Sequence, residues 1–160
     1  MKDKFDIPLA QRESVFEVEE GTKLAPKFDE NGLIPVITTD SKSGEVLMHG
    51  YMNREALSLT IHNMEAYYWS RSRKSIWHKG KTSGLIQKVR SIRIDDDQDS
   101  IWLIVDVEGI GASCHVGYRS CFYRSINHDG KNRVVLKFEE DEKLFDPEVI
   151  YAGQGNPTKL

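Results

Sequence analysis

Only two cysteines, Cys114 and Cys121, occur in the chain. Two are too few for a disulfide framework, and a reducing compartment keeps them as thiols. Neither a close Cys-x-x-Cys pair nor a βαβ pattern is present, which argues against thioredoxin-like redox chemistry. Apolar runs are short as well. None approaches the roughly 20 residues that cross a bilayer, so no membrane role is expected. The start, Met1-Lys2-Asp3-Lys4-Phe5-Asp6, lacks the apolar core of a secretion signal, and cytoplasm is the expected location. Repeats and low-complexity tracts are missing too. The 160 residues read as one ordinary globular domain with a real core.

Excess positive charge is also absent, and a net charge of −3 argues against general nucleic-acid binding. The distribution is uneven. No acidic residue falls between Glu65 and Asp95, where Arg71, Arg73, Lys74, Lys79, Lys81, Lys88, Arg90 and Arg93 all lie. A basic segment inside a mildly acidic chain suits a phosphate-bearing small ligand better than a long polyanion.

Residues 1–31 are charged and weakly patterned, and read as an N-terminal extension with one short helix or strand around Val15 and Val18. Asn31-Gly32 is a turn signal, and Leu33 to Thr39 follows as a strand in which Pro35 belongs near an edge or the start. The loop Asp40 to Gly44 leads to a second strand, Glu45 to Tyr51, in an antiparallel hairpin. Asn53 predicts a helix N-cap, with Leu57 and Ile61 on the buried face. Tyr67-Tyr68-Trp69 begins another strand, and Lys79 to Gly84 is a loop. Leu85 to Ile94 is expected to pair with Ile101 to Val107 across an acidic turn. Phe122 to Arg124 and Val134 to Phe138 are strand-like, with His128 to Lys131 as a turn, and Glu139 to Leu160 reads as a solvated polar tail. The fold class is α+β, mostly antiparallel β-sheet with few short helices.

Three clusters carry chemistry. Asp95, Asp97 and Asp99 converge if the backbone is extended, with Asp96 on the opposite side. Such carboxylates repel unless a hard cation joins them, although Asp-Asp-Gln-Asp-Ser also makes a good turn without one. Cys114 and Cys121 are either an open zinc site with a third ligand or two small buried thiols, and His115 beside them is a ligand, a base or a packed ring. Between Trp69 and Gly84 lie Arg71, Ser72, Arg73, Trp77, Lys79, Thr82 and Ser83. Guanidinium forks for phosphate, indoles that stack on a base and a Gly/Ser/Thr loop form a nucleotide-binding inventory.

Several runs resemble the phosphoribosyl-AMP cyclohydrolase family. They are Gly32 to Ile37, Glu45 to Met48, Tyr51 to Leu57, Trp69 to Arg73 with Trp77, Lys79-Gly80, Thr82 to Gly84, Cys114 to Gly117, and Arg119 to Phe122. The likeness spans about residues 32–125, and residues 126–160 form a C-terminal strand and polar tail, too short for the pyrophosphohydrolase domain sometimes fused to this family. The resemblance implies a cytosolic enzyme of histidine biosynthesis that hydrolyses phosphoribosyl-AMP, a small nucleotide, between N1 and C6 of its adenine. It further implies an intertwined homodimer with the site shared across its interface, and one Zn²⁺ and one Mg²⁺ per site. On that basis Asp95, Asp97 and Asp99 would hold Mg²⁺, and Cys114 and Cys121 would hold Zn²⁺, which lowers the pKa of its water toward ~7. His115 would move protons, and Arg71, Arg73 and Lys79 would hold phosphates. The family usually places a third zinc-binding cysteine where this chain has Asp96, which makes a Cys₂Asp site the expectation. Val116 and Lys81 stand where the family often has Thr and Glu. These departures leave two other readings: hydrolysis of another purine nucleotide, or nucleotide binding without catalysis.

Overall fold

β-Branched and aromatic runs separated by Gly, Asn and Asp turns favour short strands, and the computed structural model bears that out. It describes residues 5–131 and 133–158, so the first four residues of the N-terminal extension and the last two of the tail lie outside the described residues. In chain order the elements are α1 (Val15–Glu20), β1 (Ile34–Asp40), β2 (Val46–Met52), α2 (Arg54–Asn63), β3 (Tyr67–Ser70) and β4 (Ser75–His78). There follow β5 (Gln87–Ile94), β6 (Ile101–Val107), β7 (Arg124–His128), β8 (Val134–Phe138) and α3 (Pro147–Ile150). Among the described residues no helix is long and apolar enough to cross a membrane.

The main sheet has the order β2-β1-β6-β5. β1 and β2 form the expected antiparallel hairpin, and β5 pairs antiparallel with β6 from Ile94 opposite Ile101 to Gln87 opposite Val107. The expectation of an antiparallel sheet needs one correction. β1 and β6 run parallel, Val36 opposite Ile101 and Thr38 opposite Leu103, so the sheet is mixed. Hairpin signals speak only for sequence neighbours, whereas these two strands are joined through α2 and three further strands, long enough for a crossover. Pro35 is tolerated inside β1 because pairing with β6 begins one residue later, at Val36.

One sheet face is dry. Ile34, Val36, Ile101, Leu103 and Val105 pack there with Leu57 of α2 and Tyr68 of β3. Burying a Leu or Ile side chain contributes about 1.5–3 kcal/mol, so this layer holds α2 and the β3–β4 hairpin on the sheet. Asn53 caps α2 by accepting the Ala56 N–H at 2.8 Å, as its sequence position predicts. The phenol of Tyr68 is buried yet satisfied, at 2.6 Å from Thr38 Oγ1 and 2.7 Å from Gln87 Oε1.

The C-terminal stretch departs from the solvated tail that its composition predicts. Glu140 accepts the Arg119 and Ser120 N–H groups at 2.8 and 3.0 Å, Leu144 N–H donates to Gly117 O at 2.8 Å, and Asp146 caps α3. Caps and backbone hydrogen bonds hold this segment. They leave no hydrophobic period in the sequence.

Candidate active site

β3 and β4 pair through Tyr68 opposite Trp77 and Trp69 opposite Ile76, and their turn carries Arg71 to Lys74. Beside this hairpin opens a cavity of about 1080 Å³, lined by Trp69, Arg71, Arg73, Trp77, Lys79 and His115 among others. Thr82 and Ser83 also line it, whereas Ser72 does not. The Arg71 guanidinium lies 4.1 Å from the Tyr51 ring centre, and that of Arg73 lies 5.6 Å from Trp77. Both arginines are exposed, and among the described residues neither is paired with a carboxylate. They are available for an anion. The loop behind them turns at Gly80 (φ 88°), where a side chain would collide with the Leu85 backbone.

Lys79 differs from the arginines. It is 2% exposed, its Nζ lies 5.3 Å from the Trp77 ring centre, and it feels both cysteine thiols. Burial lowers its pKa, and the Cys121 and Cys114 charges oppose that. The two thiols touch each other. Cys114 is buried, and its pKa falls to about 7, first through the hydrogen bond from Cys121 and then, against burial, through the Val116 N–H and the Lys79 ammonium. Cys121 is pushed up by the same contact and by burial of its thiol, although the residue as a whole is exposed. Cys121 N–H donates to Leu47 O at 2.7 Å and Ser120 Oγ to Val46 O at 2.7 Å, which fastens this loop to β2. Two adjacent thiols, one ionising near neutrality, are a fitting donor pair for Zn²⁺.

His115 is half-buried at the cavity wall. Burial and the Lys79 ammonium lower its pKa, and a hydrogen bond with Asn156 works against them. Its Nε2 is buried with no partner at ordinary hydrogen-bond distance among the described residues.

The aspartates sit elsewhere. Asp95, Asp97 and Asp99 converge, each with an oxygen within 4.8 Å of the others. A turn brings them together, not the extended backbone expected from alternation: Asp95 Oδ1 accepts the Asp99 and Ser100 N–H groups at 2.9 Å, and Gln98 adopts φ 57°. Partial desolvation and then the charges of Asp97 and Asp95 push Asp99 up. Hard oxygen donors with mutual repulsion fit Mg²⁺. Asp96 is exposed and outside the group. The acidic turn joins β5 and β6 at Ile94 and Ile101, whereas Ser113, next to Cys114, receives Gln87 Nε2 at 3.2 Å at the opposite end of β5. An eight-residue strand separates the two donor sets by about 20 Å within one chain.

Residues 48–123 match the phosphoribosyl-AMP cyclohydrolase family. A phosphoribosyl-AMP cyclohydrolase of Rhodopseudomonas palustris (strain BisB5) is 52% identical over 135 residues, covering 84% of this chain and 90% of that protein. The chain belongs to the phosphoribosyl-AMP cyclohydrolase family. Cyclohydrolases of Sinorhizobium fredii (50% identical, covering 85% of this chain and 89% of that protein) and Nitrobacter winogradskyi (46% identical, 91% and 99%) are also similar. The family match takes in the β3–β4 hairpin, the aspartates, His115 and both cysteines, and stops short of the C-terminal wall of the cavity.

Sequence reasoning missed several cavity residues. Tyr51, which lies under Arg71, stood inside a family run without a stated role. Tyr151, Gln154 and Asn156 had no signal, because polar residues in a short capped segment look like solvent-facing chain.

Proposed function

We propose that this chain hydrolyses 1-(5-phosphoribosyl)-AMP, opening its adenine between N1 and C6 in histidine biosynthesis. The observation that carries the reading is one cavity that holds indoles, unpaired guanidiniums and a histidine with a free buried nitrogen, in a chain about half identical to named cyclohydrolases. Its volume is at the upper end for ligand pockets, about 300–1,000 Å³, which suits a substrate with two ribose phosphates. Trp69 and Trp77 offer stacking faces for the base, and Arg71 and Arg73 offer bidentate donors for the phosphates.

Hydrolysis adds water across the N1–C6 amidine. The water oxygen bonds to C6 and becomes a carboxamide oxygen, the N1–C6 bond breaks, and N1 takes a proton. His115 accepts the proton from the water and returns it to N1. The buried Lys79 ammonium holds positive charge beside the thiols and keeps Cys114 ionised as a ligand. When bound, Zn²⁺ held by Cys114, Cys121 and Asp96 would activate water as a Lewis acid, and Mg²⁺ held by Asp95, Asp97 and Asp99 would supply charge for the phosphates.

A homodimer completes this site. The separation of the aspartates from the cysteines in one chain supports a centre in which Asp96 of one copy meets Cys114 and Cys121 of the other. The apolar side chains of the β7–β8 hairpin support a partner surface, with Ile126 79% and Val134 69% exposed.

The test is ring opening by metal-stripped protein with Zn²⁺ and Mg²⁺ returned singly and together. Full turnover with both and not with either alone is expected. Folded protein that turns over under no combination refutes the reading, and a further Asp96→Cys variant separates a defective zinc site, which it restores, from a different substrate.

A further inference from the structure

The C-terminal wall of the cavity is fastened next to the catalytic histidine. Leu144 N–H donates to Gly117 O, and Gly117 (φ 108°) could carry no side chain, because a Cβ would collide with the Phe145 carbonyl oxygen. The glycine of the Cys114-His115-Val116-Gly117 run is thus the crossing point of the segment that ends in Tyr151, Gln154 and Asn156. Of these, Asn156 reaches His115 with a hydrogen bond. The Asn156 amide is itself oriented: its Oδ1 accepts the Thr158 N–H at 2.8 Å. A carbonyl oxygen has a second lone pair, which is what an imidazole N–H requires.

We infer that Asn156 is a positioning residue that holds the His115 imidazole in its working orientation at the cavity wall. The inference rests on the proton-transfer role given to His115 above. Asn156 supplies the one orienting contact, and it does so from a segment outside the family match. An imidazole free to rotate spends less time aligned with the reacting atoms, so losing the contact falls on the chemical step more than on substrate binding.

The experiment compares full-length wild type, Asn156→Ala, Asn156→Asp and His115→Ala, each loaded with both metals. Steady-state kinetics with phosphoribosyl-AMP, binding of AMP and urea unfolding are measured. Asn156→Ala is expected to lower kcat about three- to tenfold with KM changed less than about twofold. Asn156→Asp, which keeps an acceptor oxygen, restores kcat, and AMP affinity is unchanged. Asn156 is exposed, so the unfolding midpoint stays at the wild-type value. His115→Ala is expected to lose about 100-fold or more. If His115→Ala keeps wild-type turnover, the proton-transfer role fails and this inference with it. If His115→Ala is inactive while Asn156→Ala has wild-type kcat, or loses only in KM, or is not rescued by aspartate, the positioning role alone is overturned.

Discussion

Replacing Gln98 by alanine tests whether the N-terminal extension and the aspartate turn form one unit. The Gln98 amide is buried and makes three hydrogen bonds into the extension. Oε1 accepts the Ala25 N–H at 2.8 Å, and Nε2 donates to Val18 O at 3.0 Å and Lys23 O at 3.3 Å. A hydrogen bond nets about 0.5–1.5 kcal/mol, and a buried group stranded without a partner costs about 1–3 kcal/mol. The Ala25 N–H and Val18 carbonyl are stranded by truncation, while the longer, partly buried Lys23 contact contributes least. The loss should therefore be about 2–4 kcal/mol. At a urea m-value of about 2 kcal/mol/M, the midpoint falls by about 1–2 M. Unfolding followed by tryptophan fluorescence at fixed protein concentration reads this directly. Limited proteolysis should show faster cutting in the extension, because only the Arg12 contact to Asp97 O (2.8 Å) and the Lys27 N–H to Gln98 O bond (2.7 Å) would still tie it to the turn. A change under about 1 kcal/mol, with unaltered proteolysis, would refute the coupling.

Titration of metal-free protein by thiolate absorbance should show the cysteine pair releasing its first proton near pH 7, with the second held above the ordinary range of about 8.5. Two thiols ionising together near 8.5 contradict the contact between them. Glu65 accepts from Lys88 and lies 2.7 Å from His78 Nε2, and these partners outweigh burial to hold its carboxyl below the usual range. A depressed folded pKa gives stability that is present above the unfolded value of about 4.3 and is lost as pH falls through the folded one. The stability gap between wild type and Glu65→Gln should accordingly shrink between about pH 5 and pH 3, and a gap independent of pH would exclude the ion pair as its source.

Features confined to short stretches were legible in the sequence. Asn53 capped its helix, β5 and β6 paired across the acidic turn, and the Trp69-to-Ser83 inventory reached one cavity apart from Ser72. Hairpins and turns keep sequence neighbours together, so residue spacing translates into geometry there. Lys79 was read with Arg71 and Arg73 as a phosphate ligand, yet its ammonium is buried beside Cys114 and Cys121. Basic side chains look alike in a sequence, and only packing distinguishes a solvated cation from one held against thiols.

The sequence by itself determined the kinds of donor present: carboxylates before β6, thiols and an imidazole after it, guanidiniums and indoles in the β3–β4 hairpin. It determined the family as well, because long motifs carry that likeness residue by residue. Tertiary structure decided which donors meet. The parallel pairing of β1 with β6 set the sheet order, the length of β5 set the aspartates far from the cysteines, and the fastening of Leu144 to Gly117 returned a polar tail to His115. Periodicity reports which face of an element is buried, and has no term for the distant partner that buries it.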